Sequence, residues 1–363
     1  MTEKVAIIHD WLNGMRGGEK VLEEILRLYP DADVFTLFYE PEKVSPLISS
    51  KRVFTSRLNR NPLIKKHYQF FLPWFPRHIE AFDLNEYSLV ISSSHCVAKG
   101  VIPAPEARHV SYIHSPMRYA WDQYYAYFAG AGYFRRKIIQ KKISRLRVWD
   151  VSSAARVDDF IANSQFVRQR IEKYYRRQAT VIHPPVDIDF FQPAAKPSRD
   201  YFLLVSALVP YKNISLVIEA CRQLGEKLII VGRGPEQKKL KKMAGQGSEF
   251  LPSVKAETLR ELYQNARAFV FAGVEDFGIA FAESQACGTP VIALNRGGVR
   301  DIVSDGSSGV LFNEATVIAL KKAIQDSRCL DFDSAAIRES SLRFSAARFR
   351  AQFKQFISKK NDD

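Results

Sequence analysis

The sequence predicts an α/β protein with two domains, each built on a parallel sheet with helical crossovers. Its 363 residues correspond to two domains at roughly 150 residues each. Short apolar runs alternate along the chain with segments of helical periodicity. A Pro-rich run that ends at Pro197 separates two such series. We therefore predict one domain at residues 1–186 and a second at residues 187–340, followed by a last helix at about residues 341–358.

Composition is ordinary for a soluble globular protein, with 46% hydrophobic and 25% charged residues. The four cysteines are scattered without close pairs, which favours neither a disulfide framework nor a zinc site and fits a reducing compartment. The first residues lead directly into an apolar strand, without the features of a signal peptide. No apolar run approaches the ~20 residues that span a bilayer. These observations predict a cytoplasmic protein.

The formal net charge of +14 predicts a negatively charged partner: nucleic acid, an anionic membrane surface or an anionic substrate. Two segments break the α/β alternation. Residues 61–78 interleave aromatic side chains with Lys65, Lys66 and Arg77, and residues 133–148 hold seven basic residues and no acidic one. No nucleic-acid fold signature accompanies this charge, which disfavours nucleic acid as the partner.

Residues 133–148 predict a basic amphipathic helix. An apolar stripe would run along one face: Phe134, Ile138, Ile139, Ile143 and Leu146. Basic residues would face water: Arg135, Arg136, Lys142 and Arg145. Such a helix beside exposed aromatic residues is typical of attachment to a membrane surface. The alternative is a helix whose apolar face packs on its own domain and leaves a solvated basic edge.

The N-terminal domain begins with a predicted strand at residues 4–9 and a loop that contains Gly17 and Gly18 before the first helix. Strand, glycine-rich loop and helix in this order let a phosphate or another ligand approach the backbone. The three-glycine spacing of a dinucleotide fingerprint is absent, and no Gly-Lys-Ser/Thr follows as in a Walker loop. The alternative is a plain strand-to-helix turn.

Three further strands are predicted at residues 33–38, 87–92 and 109–113, spaced by helical segments. The last of them leads into His114, a place from which a side chain can contact a substrate. His9 lies at the end of the first strand and is a weaker candidate of the same kind. The alternative for His114 is a structural histidine held by hydrogen bonds.

The C-terminal domain opens with an apolar run at residues 201–206, which predicts a buried parallel strand. Lys212 follows at the start of a helix, where a cation is well placed to neutralise a diphosphate. A later strand at residues 227–231 leads to Gly232 and Gly234. This Gly-Xaa-Gly pattern is a weak signal by itself because no third glycine follows.

Residues 268–298 predict a buried strand, a loop with Glu275, a helix with Glu283 and a second strand. Gly278 lets the backbone turn tightly and approach a ligand, and the helix after it offers free N–H groups. Two carboxylates at the carboxyl edge of a parallel sheet suit the hydroxyl groups of a sugar and a ribose. The alternative is a solvated loop acid and a helix acid favoured by the helix dipole.

This stretch resembles the retaining glycosyltransferases of family 4, whose mark is two glutamates separated by seven residues. Glu275 and Glu283 have that spacing, with Phe277, Gly278 and Ile279 between them. Two later segments also look like the family: residues 288–292 and 297–298. The resemblance implies a GT-B fold, in which two Rossmann-like domains face each other across a cleft. It also implies that the last helix packs back on the first domain.

The resemblance further implies a donor site. Lys212 would offset the charge of the diphosphate, Glu283 would bind the ribose hydroxyls, and Glu275 would bind the donor sugar near the phosphate. Other positions would face the donor: Gly17, Gly18, Gly232, Gly234, Phe277, Gly278 and Ile279. The family usually has an arginine where this chain has Ala207, so another cation substitutes or donor affinity is weakened. Three arginines could substitute: Arg16, Arg233 and Arg296.

On the acceptor side, the resemblance implies that His114 positions or polarises the transferring sugar, and that Gly17 and Gly18 let the acceptor approach. No metal or other cofactor would be needed if cations and helix N-termini neutralise the leaving diphosphate. Three Asp-Xaa-Asp triplets lie far along the sequence from Glu275, and we interpret them as structural: residues 31–33, 187–189 and 331–333.

The combined motifs look most like mannosyltransferases of polysaccharide or lipopolysaccharide assembly. The expected donor is GDP-mannose, with a UDP- or dTDP-sugar second, and the expected acceptor is a saccharide or a polyprenyl-diphosphate-linked saccharide. The expected location is peripheral, on the inner face of the plasma membrane, through residues 61–78 and 133–148. The alternatives are a GT-B nucleotide-sugar epimerase, which needs no acceptor, and a degenerate transferase that only binds the membrane.

Overall fold

The structure is a computed structural model that describes residues 4–128, 130 and 132–359, without the side chains of residues 65, 66 and 126. The chain forms two compact units. The first unit comprises the chain up to Pro184 together with the segment from Phe349 onward, and the second comprises Pro185–Arg348. Each unit contains one parallel sheet with helices, which is the α/β architecture that the sequence predicts.

The first unit contains a seven-stranded sheet whose strands pair in parallel. Its strands are β1 (Val5–His9), β2 (Asp33–Thr36), β3 (Val53–Thr55), β4 (Leu89–Ser94), β5 (Arg108–Ile113), β6 (Asp159–Ala162) and β7 (Thr180–Val181). Their order across the sheet is β3-β2-β1-β4-β5-β6-β7. Because the strands are parallel, the carboxyl ends of the central strands β1, β4 and β5 lie side by side at one edge.

Helices of the first unit connect these strands: α1 (Gly17–Leu28), α2 (Pro46–Ser49), α3 (Ile64–Phe71), α4 (Phe75–Ile79), α5 (Tyr124–Phe128), α6 (Tyr133–Ala154) and α7 (Gln165–Tyr175). The apolar face of α1 is buried through Val21, Leu22 and Ile25, as its helical periodicity predicts. Apolar side chains fill both faces of the central strands, which explains why β1 is buried along its whole length.

The second unit contains a six-stranded sheet, also with parallel pairing. Its strands are β8 (Tyr201–Val205), β9 (Leu228–Val231), β10 (Ser248–Leu251), β11 (Ala266–Phe271), β12 (Val291–Leu294) and β13 (Gly309–Phe312). Their order is β10-β9-β8-β11-β12-β13. Its helices are α8 (Ile214–Leu224), α9 (Gln237–Ala244), α10 (Ala256–Asn265), α11 (Ile279–Ala286), α12 (Val317–Ser327) and α13 (Ser334–Ser341).

The prediction of one last helix at about residues 341–358 is wrong at its beginning. Helix α13 ends at Ser341, a short 3-10 turn follows, and the last helix is α14 (Ala346–Lys359). The helix is interrupted because the Phe344 carbonyl accepts a hydrogen bond from the Val186 N–H (2.8 Å), and Val186 forms a β-bridge with Ser345. From Phe349 onward, apolar side chains of α14 pack in a core cluster of the first unit.

Helix α6 is longer than the predicted segment, and its apolar stripe does not stay on one buried face. Phe134 and Ile138 are 81% and 57% exposed, whereas Ile143 and Leu146 are buried. The alternative, in which the apolar face of the helix packs on its own domain, therefore holds only for the second half of α6. The predicted membrane surface also includes Lys65 and Lys66, whose side chains are not among those that the structure describes. Among the described residues, no helix is long and apolar enough to cross a membrane.

Candidate active site

The loop between β11 and α11 has a backbone that only glycine accommodates. Gly278 has φ +95°, and a Cβ atom there would lie 2.3 Å from the ring of Phe281. The loop is also tied to the turn after β12, because the Glu275 carbonyl accepts a hydrogen bond from the Gly298 N–H (2.9 Å). A Cβ atom at Gly298 would lie 2.3 Å from the Asp276 carbonyl oxygen. These contacts fix the position of Glu275.

Lys212 and Glu275, which the sequence assigns to the donor diphosphate and the donor sugar, lie together in the second unit. The Lys212 Nζ donates a hydrogen bond to Glu275 Oε1, and the two side chains are 9% and 24% exposed. The loops that carry them are joined by Asn213, whose side chain donates to the Ala272 carbonyl (3.1 Å). The arrangement places a cation and an anion at the carboxyl ends of β8 and β11, where parallel sheets hold polar ligands.

Glu283 is buried on α11, next to a residue that the sequence analysis missed. Its Oε2 accepts a hydrogen bond from the Tyr263 hydroxyl (3.1 Å). Burial, and after it the Glu283 carboxylate, raises the pKa of Tyr263 well above its usual value, so the hydroxyl keeps its proton. Phe277 is also buried, in edge contact with Phe344, and Ile279 is the first residue of α11. The donor-binding roles of these residues remain predictions.

Gly232 and Gly234 allow two loops of the second unit to touch. Cβ atoms at these positions would lie 1.9 Å from the Ser206 carbonyl oxygen and 2.2 Å from that of Leu208. The Leu208 N–H also donates to the carbonyl of Arg233 (2.9 Å). Backbone packing therefore accounts for both glycines, and their predicted contact with the donor is not tested by this geometry.

His114 belongs to a chain of hydrogen bonds at the carboxyl edge of the first sheet. Its Nε2 lies 2.8 Å from Ser93 Oγ, which lies 3.1 Å from His9 Nδ1. A Cβ atom at Gly18 would be 3.4 Å from the His9 ring and 3.6 Å from His114 Nε2. The structure thus brings together the predicted residues Gly18 and His114, while Gly17 is the first residue of α1.

Asp10 and His95 at the same edge were missed by the sequence analysis. The buried Asp10 carboxylate accepts four backbone N–H bonds from residues 95–98 at 2.6–2.9 Å, and His95 Nδ1 lies 3.0 Å from Asp10 Oδ2. Burial alone would raise the pKa of Asp10, but His95 and the backbone bonds hold it well below its usual range. Polar residues directly after two neighbouring strands were the available signal.

Two family models cover most of the chain. The model described as Glycosyltransferase Family 4 matches residues 15–190. The model described as Glycosyl transferases group 1 matches residues 186–327, which include the paired Lys212 and Glu275. The chain belongs to the family 4 glycosyltransferases.

Two mycobacterial proteins are among its relatives. A D-inositol 3-phosphate glycosyltransferase of Mycolicibacterium smegmatis is 28% identical over 52% of this chain and 49% of its own length. A GDP-mannose-dependent alpha-(1-6)-phosphatidylinositol monomannoside mannosyltransferase of the same organism is 29% identical over 51% of this chain and 56% of its own length. The chain spans about half the length of these curated relatives.

Solved structures establish the fold. A sucrose-phosphate synthase from Thermosynechococcus elongatus has a TM-score of 0.73 at 19% identity, over 99% of both chains. Anabaena HepE in complex with UDP and glucose has a TM-score of 0.69 at 18% identity, over 97% of this chain and 99% of its own. The apo form of the lipopolysaccharide outer core galactosyltransferase WaaB has a TM-score of 0.68 at 15% identity, over 98% of this chain and 99% of its own. The GT-B prediction is confirmed.

Within the described residues, no group of three or more histidine, cysteine, aspartate and glutamate side chains could hold a metal ion. The expectation that the reaction needs no metal is not tested by this observation and remains a prediction.

Proposed function

We propose that this protein transfers a hexosyl group from a nucleotide sugar to a saccharide acceptor with retention of configuration. GDP-mannose is the first candidate donor, and a lipid-linked saccharide of cell-surface polysaccharide or lipopolysaccharide is the first candidate acceptor. The observation that carries the proposal is the Lys212–Glu275 pair at the strand ends of the second unit. The mannosyltransferase of M. smegmatis supports the choice of donor sugar.

Lys212 is the residue proposed to neutralise the leaving diphosphate. In the structure, its charge is balanced by Glu275. A bound diphosphate would compete for the same ammonium group, which would leave Glu275 able to accept hydrogen bonds from the sugar hydroxyls. A cation that is already in place when charge develops on the leaving group costs little reorganisation, which is the main electrostatic advantage of such a site.

The missing family arginine at Ala207 has a candidate replacement at the same edge. Arg233 has an exposed side chain, and its carbonyl is bonded to the N–H of Leu208, the residue after Ala207. Arg296, also exposed, precedes Gly297, which forms a β-bridge with Glu275. We propose that Arg233, assisted by Arg296, supplies the second cation to the diphosphate.

The first test is nucleotide binding, measured as a shift of the thermal midpoint with GDP, UDP, dTDP and ADP, with and without magnesium. A nucleotide at a hundredfold excess over its Kd stabilises the folded state by about 2.7 kcal/mol. A magnesium-independent shift with GDP supports the mannosyltransferase proposal. A shift with UDP or dTDP alone would mean that the donor is the corresponding nucleotide sugar and not GDP-mannose. No shift with any nucleotide favours a degenerate protein that only binds the membrane.

The second test is turnover of the nucleotide sugar that binds. We expect Lys212→Ala and Glu275→Gln to lower kcat/KM about 100-fold or more, the usual cost of removing one stabilising group at a developing charge. The matched controls are Lys239→Ala and Glu236→Gln, which break a similar pair on α9 of the same unit. If Lys212→Ala and Glu275→Gln are as active as the two control variants, the assignment of Lys212 and Glu275 to the active site is wrong. Donor turnover to an isomeric nucleotide sugar, independent of acceptor, supports the epimerase instead.

We propose that the first unit also docks on an anionic membrane surface. Phe70 and Trp74 are exposed aromatic residues, and Trp74 lies near the basic helix α6, with its ring centroid 5.9 Å from Lys142 Nζ. Phe134 and Ile138 are exposed on the same helix. Apolar side chains interleaved with lysines and arginines match the interface of an anionic bilayer.

A cavity of about 530 Å³ beside this surface supports the same proposal. Its lining includes Arg57, two residues after β3, and Arg77 and His78 of α4, and none of the described residues that line it carries a carboxylate. Burial, followed by the charges of Arg77 and Arg57, lowers the pKa of His78. This concentration of positive charge suits the phosphate of a lipid headgroup.

Vesicle co-sedimentation tests the membrane proposal. The variant in which Arg135, Arg136, Lys141 and Lys142 become glutamine should lose binding to phosphatidylglycerol vesicles, since each basic residue near such a surface contributes about 1 kcal/mol. The control removes the same charge from α9 of the second unit: Lys238, Lys239, Lys241 and Lys242. Binding that survives the first variant, or that falls equally in the control, contradicts a surface located at α6.

A further inference from the structure

Asp10 fixes His95 in one orientation. Asp10 Oδ2 accepts from the His95 and Cys96 N–H groups and from His95 Nδ1, while Oδ1 accepts from the N–H groups of Val97 and Ala98. A fully buried carboxylate with five donors stays ionised. It therefore requires a proton on His95 Nδ1, which leaves Nε2 as the nitrogen that can bind a ligand.

His95 lies beside the residues proposed to face the substrate. Its side chain is 34% exposed, whereas its partner Asp10 is completely buried. Its ring centroid lies 6.5 Å from that of His114 and 6.2 Å from that of His9, and the Trp11 ring packs edge-on against it at 4.5 Å. Among the described residues, no hydrogen bond to His95 Nε2 is recorded. The ring is thus held on one side and open on the other.

The charges around His95 favour a neutral ligand. Asp10 and Glu19 interact with it as anions and Arg16 as a cation, while His9 and His114 are the neighbouring titratable rings. Burial lowers the pKa of His95, but Asp10 more than offsets this, so its pKa lies above the usual value. Since two carboxylates and one guanidinium act on His95, a hydroxyl-bearing sugar fits better here than a phosphate.

We propose that His95, oriented by Asp10, hydrogen-bonds through Nε2 to the attacking hydroxyl of the saccharide acceptor. The inference rests on the proposed transfer reaction and adds to it a residue on the acceptor side. His114, in the same row of strand ends, is assigned to the transferring sugar, so the two histidines would contact the two reacting partners. Trp11, whose ring faces His95, would provide an apolar wall for the sugar.

The test compares His95→Ala with His183→Ala, a histidine that follows β7 at the far edge of the same sheet. Nucleotide release from the donor identified above is measured from pH 5 to 9 with water alone and with methyl glycosides as probe acceptors. We expect His95→Ala to lower kcat/KM for the glycoside about 10- to 100-fold, the cost of a hydrogen bond that involves an ionisable group. The donor KM should stay unchanged, and one ionisation should disappear from the pH profile.

Each outcome has a distinct meaning. An unchanged ratio of transfer to hydrolysis in His95→Ala, with wild-type donor KM, overturns the inference and leaves the transferase proposal standing. If the wild type transfers to no glycoside, binding of the methyl glycosides in the presence of the nucleotide is compared instead, and equal affinity of wild type and His95→Ala overturns the inference. A wild type that turns over no nucleotide sugar overturns the transferase proposal first, and the inference with it.

Discussion

The carboxyl edges of the two sheets carry polar groups that are assembled in different ways. In the second unit, Glu275 and Glu283 come from one continuous stretch, and Lys212 and Tyr263 reach it from other elements of the same unit. In the first unit, the groups come from β1, the start of α1, β4 and β5, and Asp10 binds backbone donors 85–88 residues away. A site built from one segment can be recognised by motif spacing, whereas a site built from several needs the sheet order.

The register of the first sheet explains its assembly. His9 of β1 lies opposite Ser93 of β4, and the N–H of His114, just after β5, donates to the Ser94 carbonyl (2.8 Å). Neighbouring parallel strands therefore place residues 9–10, 93–95 and 114 in one row. The result is a buried hydrogen-bonded network, which is more sensitive to loss of a member than an ion pair near the surface.

Removing one carboxylate from each edge is expected to give the largest difference in stability loss between the two units. Asp10→Ala should destabilise the first unit by about 3–5 kcal/mol, because the ion pair is buried and its donors lose their acceptor. Glu275→Ala should cost less, about 1–3 kcal/mol, because it leaves the buried Lys212 ammonium without its carboxylate while Glu275 itself is 24% exposed. Urea unfolding followed by hydrogen exchange in each unit measures both. Similar losses would mean that Asp10 is not the centre of the network.

Adding a methyl group to one glycine at each edge should have the opposite result, with the larger loss of stability in the second unit. Gly278→Ala should cost about 3 kcal/mol, because it combines a left-handed backbone with a 2.3 Å approach to the Phe281 ring. Gly18→Ala meets only ordinary contacts, so stability should change by less than about 1 kcal/mol. Gly306→Ala is the control, because it has φ +79° with open space around it. If Gly306→Ala costs as much as Gly278→Ala, strain alone accounts for the effect.

Acid should destabilise the first unit more than the second, since all seven histidines lie in the first unit. We expect this difference in stability to be smaller than those above. Burial lowers the pKa of His109 to about 4, below the ordinary value of about 6.5. The unfolded chain therefore binds the proton first, and stability is lost as pH falls from about 6.5 to 4, by at most about 3 kcal/mol. His95 has a raised pKa and acts in the opposite direction, with a stabilising contribution that is lost as pH rises.

His109→Gln isolates this contribution. The amide can keep a hydrogen bond to Ser92 Oγ, which lies 2.9 Å from His109 Nε2 in the wild type. The free energy of unfolding of the first unit should then depend less on pH between 6.5 and 4, while the second unit is unchanged. A wild-type slope in the variant would assign the acid sensitivity to another group, of which His9, also with a lowered pKa, is the next candidate.

The α/β class, the division into two parallel sheets and the family could all be predicted from the amino-acid sequence. Apolar runs of strand length report burial on both faces, and the spacing of Glu275 and Glu283 lies within one segment. The sequence also indicated Lys212 and His114 as candidates, because a cation at a helix start and a polar residue just after a strand end are visible without the fold; their roles remain predictions. The interruption at Ser345 was not predicted, because it depends on pairing with the distant Val186.

Which polar residues meet depends on how the strands are ordered in space. Asp10 and His95 are ordinary loop residues in the sequence, and they become a pair because β1 and β4 are neighbours in the sheet. Tyr263 reaches Glu283 in the same way, across 20 residues. Burial then set their chemistry, since a carboxylate or hydroxyl removed from water keeps only the partners that the fold supplies.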